Sequence, residues 1–200
     1  MSQKLLYVKA NPKVDSDSNT STLGNVFVQE YQRSNPDCEI ITLDLYKEGI
    51  EPLDADTLTK MFAGQENKAY QYAKQFANVD RYVIAAPMWN LGIPSILKAY
   101  IDYVSYVGVA FKYTEAGPIG LLSDKPRKAI HISSRGGIYS EGPAKEFDLS
   151  DKYIRTILGF FGITQVESLF LEQTNILQGD ALTEAIKQSH QAARNLAVNF

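Results

Sequence analysis

The sequence predicts an α/β fold: a doubly wound sheet of five parallel strands with helices on both faces. Two textures carry this. Short, continuous apolar runs recur along the chain, as strands buried on both faces require. Between them lie longer stretches with apolar residues at three- and four-residue spacing, the mark of amphipathic helices. Their alternation, with no repeat, linker or low-complexity tract, makes residues 1–200 a single domain.

The first strand is read at 5–8 (Leu-Leu-Tyr-Val) and the first helix through Leu23, Val26, Phe27, Glu30 and Tyr31. The second strand occupies 38–43. Residues 48–65 are weakly patterned, with a short helix around 56–62 on a surface excursion. Ala69, Tyr72, Ala73, Phe76 and Ala77 mark a helix before the third strand at 82–86, which stops at Pro87. Pro94 suits a first helical turn, and Ile96, Leu97, Tyr100, Ile101, Val104 and Val107 follow it. Residues 111–121 alternate around Gly117-Pro118 and read as a hairpin or extended loop inserted near 110–122. The fourth strand is at 129–132, a helix runs through Tyr153, Ile154, Ile157, Leu158 and Phe161, and the fifth strand is at 166–171. A last helix begins near Asp180.

Composition excludes several classes. Of 200 residues, 44% are hydrophobic and the net charge is −3, so the chain buries a core and is not disordered. With 20 basic against 23 acidic residues and no basic face, nucleic acid is not an expected partner. No apolar run approaches the roughly 20 residues needed to span a bilayer, and Met1-Ser2-Gln3-Lys4 runs straight into a short apolar segment without the pattern of a basic-then-apolar leader. A single cysteine, Cys38, forms no internal disulfide and fits a reducing compartment, so the expected location is the cytoplasm. Cys38 is read as a structural thiol, His131 as a satisfied core histidine and His190 as solvated. Two histidines and one cysteine make no zinc site.

In an open parallel sheet, ligands bind at the carboxyl ends of the strands, where the strand order reverses. Three loops fall there. Residues 9–21, after the first strand, are rich in hydroxyls and amides and run into a helix. Ser16, Ser18 and Asn19 suit either a phosphate at the helix N-terminus or a plain N-cap. Residues 86–94 present Met88, Trp89, Asn90 and Gly92 between two prolines, either to a flat apolar ring or to the core. Residues 133–139 carry Gly136-Gly137, whose backbone can closely approach a ligand. Neither G-x-G-x-x-G nor G-x-x-x-x-G-K-[ST] occurs, which argues against a dinucleotide site and a P-loop. Ser133 and Ser134 are not in a G-x-S-x-G elbow. A phosphate pocket, a wall for a planar ring and a polar loop on one sheet edge are the parts that flavin mononucleotide (FMN) needs.

Pro87-Met88-Trp89-Asn90-Leu91, residues 97–102 (Leu-Lys-Ala-Tyr-Ile-Asp), Phe111-Lys112-Tyr113-Thr114, Gly117-Pro118, Ser134-Arg135-Gly136-Gly137 and residues 158–162 together resemble the FMN-dependent NADH-azoreductases. These are bacterial, homodimeric, flavodoxin-like NADH:quinone oxidoreductases, and the resemblance spans the whole chain. It implies a strand order of 2-1-3-4-5. It also implies that Asn11, Ser16, Asp17 and Ser18 surround the FMN phosphate, Asp17 through its backbone because a carboxylate repels phosphate. Met88, Trp89, Asn90 and Leu91 would line the ribityl chain and ring, and Ser134, Arg135, Gly136 and Gly137 would meet the pyrimidine edge. Phe111, Tyr113 and Phe160 would cover the ring face where NADH and the acceptor take turns, some supplied by the partner subunit. The implied reaction is ping-pong reduction of quinones and reductive cleavage of azo compounds, with NADH as donor and no catalytic acid or base from the protein. The alternative is a non-enzymatic FMN electron carrier, for which −3 gives little acidic docking surface. Two further observations point to a dimer: the aromatic 111–121 insertion, and the surplus of Tyr100, Tyr103, Val104, Tyr106 and Val107 on one helix.

Overall fold

A computed structural model describes residues 3–200; Met1 and Ser2, at the start of the chain, lie outside the described residues. The chain begins with β1 (Lys4–Lys9), α1 (Asn19–Ser34) and β2 (Glu39–Asp44). Next come α2 (Ala55–Phe62), α3 (Lys68–Ala77), β3 (Arg81–Ala85) and α4 (Ser95–Val104). The inserted hairpin is β4 (Phe111–Thr114) with β5 (Gly117–Gly120). Finally β6 (Lys128–Ser134), α5 (Leu149–Phe161), β7 (Gln165–Leu171) and α6 (Gly179–Val198) complete the domain. The main sheet is parallel throughout, ordered β2-β1-β3-β6-β7. Without the separate two-stranded hairpin this is the expected 2-1-3-4-5, and the order reverses between β1 and β3.

Strand side chains alternate between two cores. On β3, Tyr82 and Ile84 face the layer built by α3, α4 and α5, whereas Val83 and Ala85 face α1 and α6. Both faces are apolar, which is why these strands read as continuous runs rather than alternating ones. Gly24 on α1 lets the helix sit close to the sheet, since a Cβ there would lie 2.5 Å from the Tyr7 hydroxyl. That hydroxyl donates to Asn25 Oδ1 at 3.0 Å. Among the described residues no helix is long and apolar enough to cross a membrane.

The helix after β3 departs from expectation. Tyr100, Tyr103, Val104 and Tyr106 are all buried within their own chain. Tyr72 and Phe76 of α3 pack on the Tyr100 ring, and Tyr70 packs on Tyr106. Only Val107 remains exposed, so the apparent apolar surplus is consumed by α3. The helix also stops at Val104, three residues early, because Tyr106 turns inward to donate to Gln65 O at 3.0 Å. His131 is only half satisfied: Nδ1 bonds Asp151 at 2.9 Å, while the buried Nε2 has no partner. His190 is partly buried rather than solvated, and burial together with Arg194 pushes its pKa down.

Candidate functional site

The carboxyl ends of the strands are held in line beyond the strands themselves. Ala10 donates to Ala85 O at 2.9 Å, Ala86 to Ile132 O at 3.0 Å, Met88 to Ser134 O at 3.2 Å and Arg135 to Leu171 O at 2.8 Å. A cross-link joins two of the three loops. Thr20 Oγ1 lies 2.6 Å from Ser134 Oγ and accepts from Ser134 N at 3.1 Å. The N-terminus of α1 is therefore fixed against the loop after β6, and Met88 N on Ser134 O ties in the loop after β3, so the three loops lie together at the carboxyl edge by the switch point. Sequence reasoning missed Thr20; a hydroxyl inside the first turn of a helix after β1 was its only signal.

At the start of α1, Ser18 is the N-cap. Its Oγ accepts from Ser21 N at 3.1 Å and from Asn11 Nδ2 at 2.8 Å. Asn11 also accepts from Lys13 N at 3.0 Å. Ser16 and Asp17 lie exposed on a 3-10 turn (Asp15–Asp17), with the Ser16 hydroxyl donating to the Asp17 carboxylate at 3.0 Å. The amides of Asn19 and Thr20 meet no protein acceptor among the described residues. Together with the helix dipole they form a donor set suited to phosphate. Asp15 is neutralised by Lys9 at 2.5 Å; that bond, followed by one from Asn25, holds its carboxyl below the ordinary value.

The loop after β3 is a tight two-residue turn. Trp89 and Gly92 exchange both backbone hydrogen bonds at 3.0 Å, leaving Asn90 (φ 49°) and Leu91 (φ 68°) left-handed. Such a backbone is costly for leucine and is seen where a site over-determines it. Trp89 is 41% exposed. It therefore does not close the core.

The loop after β6 contains the main correction. Arg135 is 1% exposed. Its guanidinium stacks 3.3 Å from the centroid of Phe170 and lies 2.8 Å from Asp148 and 3.5 Å from Glu172. Its N–H and carbonyl are also engaged, with Leu171 and Thr174 respectively. Arg135 is thus a buried strut against β7 and the start of α5 with its backbone engaged, although its buried Nε and Nη2 have no hydrogen-bond partner among the described residues. Gly136 and Gly137, by contrast, have amides with no protein acceptor among the described residues.

Phe111, Tyr113 and Phe160 form their own cluster, with ring centroids 4.8 Å (Phe111–Phe160) and 5.5 Å (Phe111–Tyr113) apart. It lies at the amino edge of the sheet, because Leu122 donates to the α5 C-terminal Phe161 O at 2.8 Å just before β6 begins. The crevice is a strand length away, about 20 Å. Within one chain the structure does not bring these aromatics to the other site residues. Phe111 and Tyr113 instead border an apolar groove of about 230 Å³ walled by Leu58, Met61 and Phe62 of α2.

The fold is a doubly wound sheet whose loops at the switch point offer backbone and hydroxyl donors. The chain belongs to the flavodoxin-like fold family, whose profile matches residues 3–197. It is 48% identical to an FMN-dependent NADH:quinone oxidoreductase of Clostridium perfringens, over 98% of this chain and 99% of that one. A second such protein, from Clostridium acetobutylicum, is 45% identical over 98% and 99%. Among solved structures, an azoreductase from Bacillus anthracis superposes with a TM-score of 0.89 at 35% identity, covering 99% of this chain and 100% of its own. An FMN-dependent NADH-azoreductase from the same organism, in complex with FMN, gives 0.88 at 28% identity, covering 98% and 99%.

Proposed function

We propose that the protein is an FMN-dependent NADH oxidoreductase that reduces quinones by two electrons and cleaves aromatic azo compounds to amines. The observation that carries this reading is the convergence of three donor-bearing loops at one edge of the sheet. The donor set fits FMN: free amides of Asn19 and Thr20 with the Ser18 hydroxyl, and the Ser16 hydroxyl once it turns from Asp17, for the phosphate, exposed Trp89 beside Met88, Asn90 and Leu91 for the ring, and free amides at Gly136 and Gly137 for its polar edge. When bound, FMN supplies the hydride relay between NADH and acceptor. The protein's part is to hold, orient and shield. The left-handed turn at Asn90-Leu91 presents backbone to the ring, and Thr20–Ser134 keeps phosphate and ring subsites at fixed separation. The full-length relatives carry enzyme names, which favours this over an electron carrier.

The working unit in this reading is a twofold dimer in the cytoplasm. The carboxyl edge exposes Trp89, Ile138, Phe147, Leu149 and Ile176, while the hairpin and groove expose Phe62, Tyr113 and Ile119. Two apolar patches on opposite ends of one chain fit a C2 contact in which each end covers the other's partner. Phe111, Tyr113 and Phe160 of one protomer would then cover the other's crevice, which their own chain cannot supply. A visible spectrum tests the central claim: purified protein should be yellow, release about one FMN per chain on denaturation, and bleach with NADH. Colourless protein that takes up no added FMN would refute it.

A further inference from the structure

We propose that Glu172, at the end of β7, is a positioning residue that aims the amide row of the loop after β6 at the flavin; this rests on the functional reading above. Glu172 Oε1 accepts from Tyr139 N at 2.8 Å and Ser140 N at 2.9 Å, and Oε2 accepts from Ser140 Oγ at 2.5 Å. The next three residues take hold of the other side of the loop. Thr174 N donates to Arg135 O at 3.0 Å, Asn175 N to Gly136 O at 3.2 Å and Gln173 N to Gly137 O at 3.2 Å. Gln173 adopts φ 62° to do so, a left-handed backbone that needs enforcing. Gly136 packs closely here, since a Cβ there would lie 2.5 Å from Asn175 Nδ2 and would displace that side chain.

The consequence follows from peptide geometry. In a trans peptide the carbonyl of one residue and the N–H of the next point in opposite directions. With the carbonyls of 135, 136 and 137 all turned to the 173–175 segment, the N–H groups of Gly136, Gly137 and Ile138 point away from it. None of the three has a protein acceptor among the described residues. Such a row of donors matches the acceptor oxygens of a pyrimidine edge, and it binds more strongly as negative charge builds there. Glu172 fixes the loop's far end, and buried Arg135 offsets its charge. Glu172 itself touches the loop and not the ligand.

The test uses Glu172→Ala and Glu172→Gln in the full chain, with FMN and riboflavin as probes. Expected for Glu172→Ala is an about tenfold weaker affinity for both flavins, because the ring edge and not the phosphate is affected. The loss should be at least fivefold larger for reduced than for oxidised FMN, read as a more negative midpoint potential at saturating FMN. A merely structural defect would lower thermal stability and affinity but leave that potential unmoved, which would overturn the proposal. Glu172→Gln keeps the side-chain volume and should shift affinity and potential in the same sense by a smaller factor. If Glu172→Ala fails to fold, an unchanged potential in folded Glu172→Gln overturns the clamp. If the parent binds FMN and both variants match it, the clamp alone is wrong. A parent that binds no flavin would overturn the functional reading as well.

Discussion

Replacing Ser18 separates its observed role as N-cap from the proposed role at the phosphate. As N-cap of α1 it satisfies Ser21 N, so Ser18→Ala should cost about 1 kcal/mol in denaturant unfolding. As a phosphate donor it should, with Ser16→Ala, weaken FMN far more than riboflavin, by about 1.5–3 kcal/mol per charge-assisted bond. Equal loss of the two flavins would leave Ser18 a cap alone. Asp151 carries the clearest pH dependence. Burial would raise its carboxyl, but bonds from His131, Ser168 and Arg155 outweigh that and hold it well below the ordinary 3.8. A depressed carboxyl contributes stability that is full above its unfolded pKa and is lost as pH falls toward the folded one. Asp151→Asn should therefore begin about 3 kcal/mol less stable at pH 7 and show a shallower fall below about pH 5. The slope should not vanish, because Asp15, Asp80 and Asp124 are also held low. Urea titrations at several pH values measure both, and parallel curves would count against the Asp151 network.

At the scale of elements, the turn after β3 sets function against stability. Leu91 sits at φ 68° without being glycine. Left-handed backbone costs an L-residue about 1–2 kcal/mol, and glycine recovers most of it while adding unfolded-state entropy. Leu91→Gly is thus expected to raise the melting temperature by roughly 2–4 °C for each kcal/mol gained, in a chain of this size. It should also loosen FMN, because the turn that presents the ring wall becomes mobile. A variant both stabilised and unchanged in FMN affinity would mean that the strain serves nothing. The 172–175 segment plays the opposite part, spending a left-handed Gln173 to hold its neighbour loop rigid.

Assembly decides the whole molecule. Phe111, Tyr113 and Phe160 and the crevice occupy opposite sheet edges, so shared sites are expected to complement. A Phe111→Ala/Tyr113→Ala subunit and a Gly137→Trp subunit should each be nearly inactive. Mixed, they should form heterodimers with one site carrying both defects and one carrying neither, and activity should return. An interface of this kind buries roughly 2,000 Å² or more. A fully active monomer on a sizing column at micromolar concentration would end the shared-site reading. Had Tyr100, Tyr103 and Tyr106 been exposed, α4 would have been the natural interface; their burial against α3 moves the expected contact to the two sheet edges.

The sequence by itself determined the five-stranded sheet, the helix after each strand and the three loops at one edge. Strands covered on both faces must be continuously apolar, and a helix on a sheet must carry a three-four stripe, so these elements are written in local spacing. The hairpin at 111–120 was legible through its alternation, but its turn is Glu115-Ala116, and Gly117-Pro118 open β5 instead of forming the turn. What tertiary structure alone decided is which polar and aromatic groups are spent internally. Arg135 in a Ser-Arg-Gly-Gly loop looks available to a ligand, but the register of β6 on β7 sets it over Phe170, 35 residues on, where stacking and two carboxylates bury it. Glu172 and residues 173–175 carry no motif, because their role is to bond a loop distant in sequence. The place of the aromatic cluster depends likewise on where α4 and α5 end. Local spacing records what one segment buries, whereas partnership between segments exists only once the chain has brought them together.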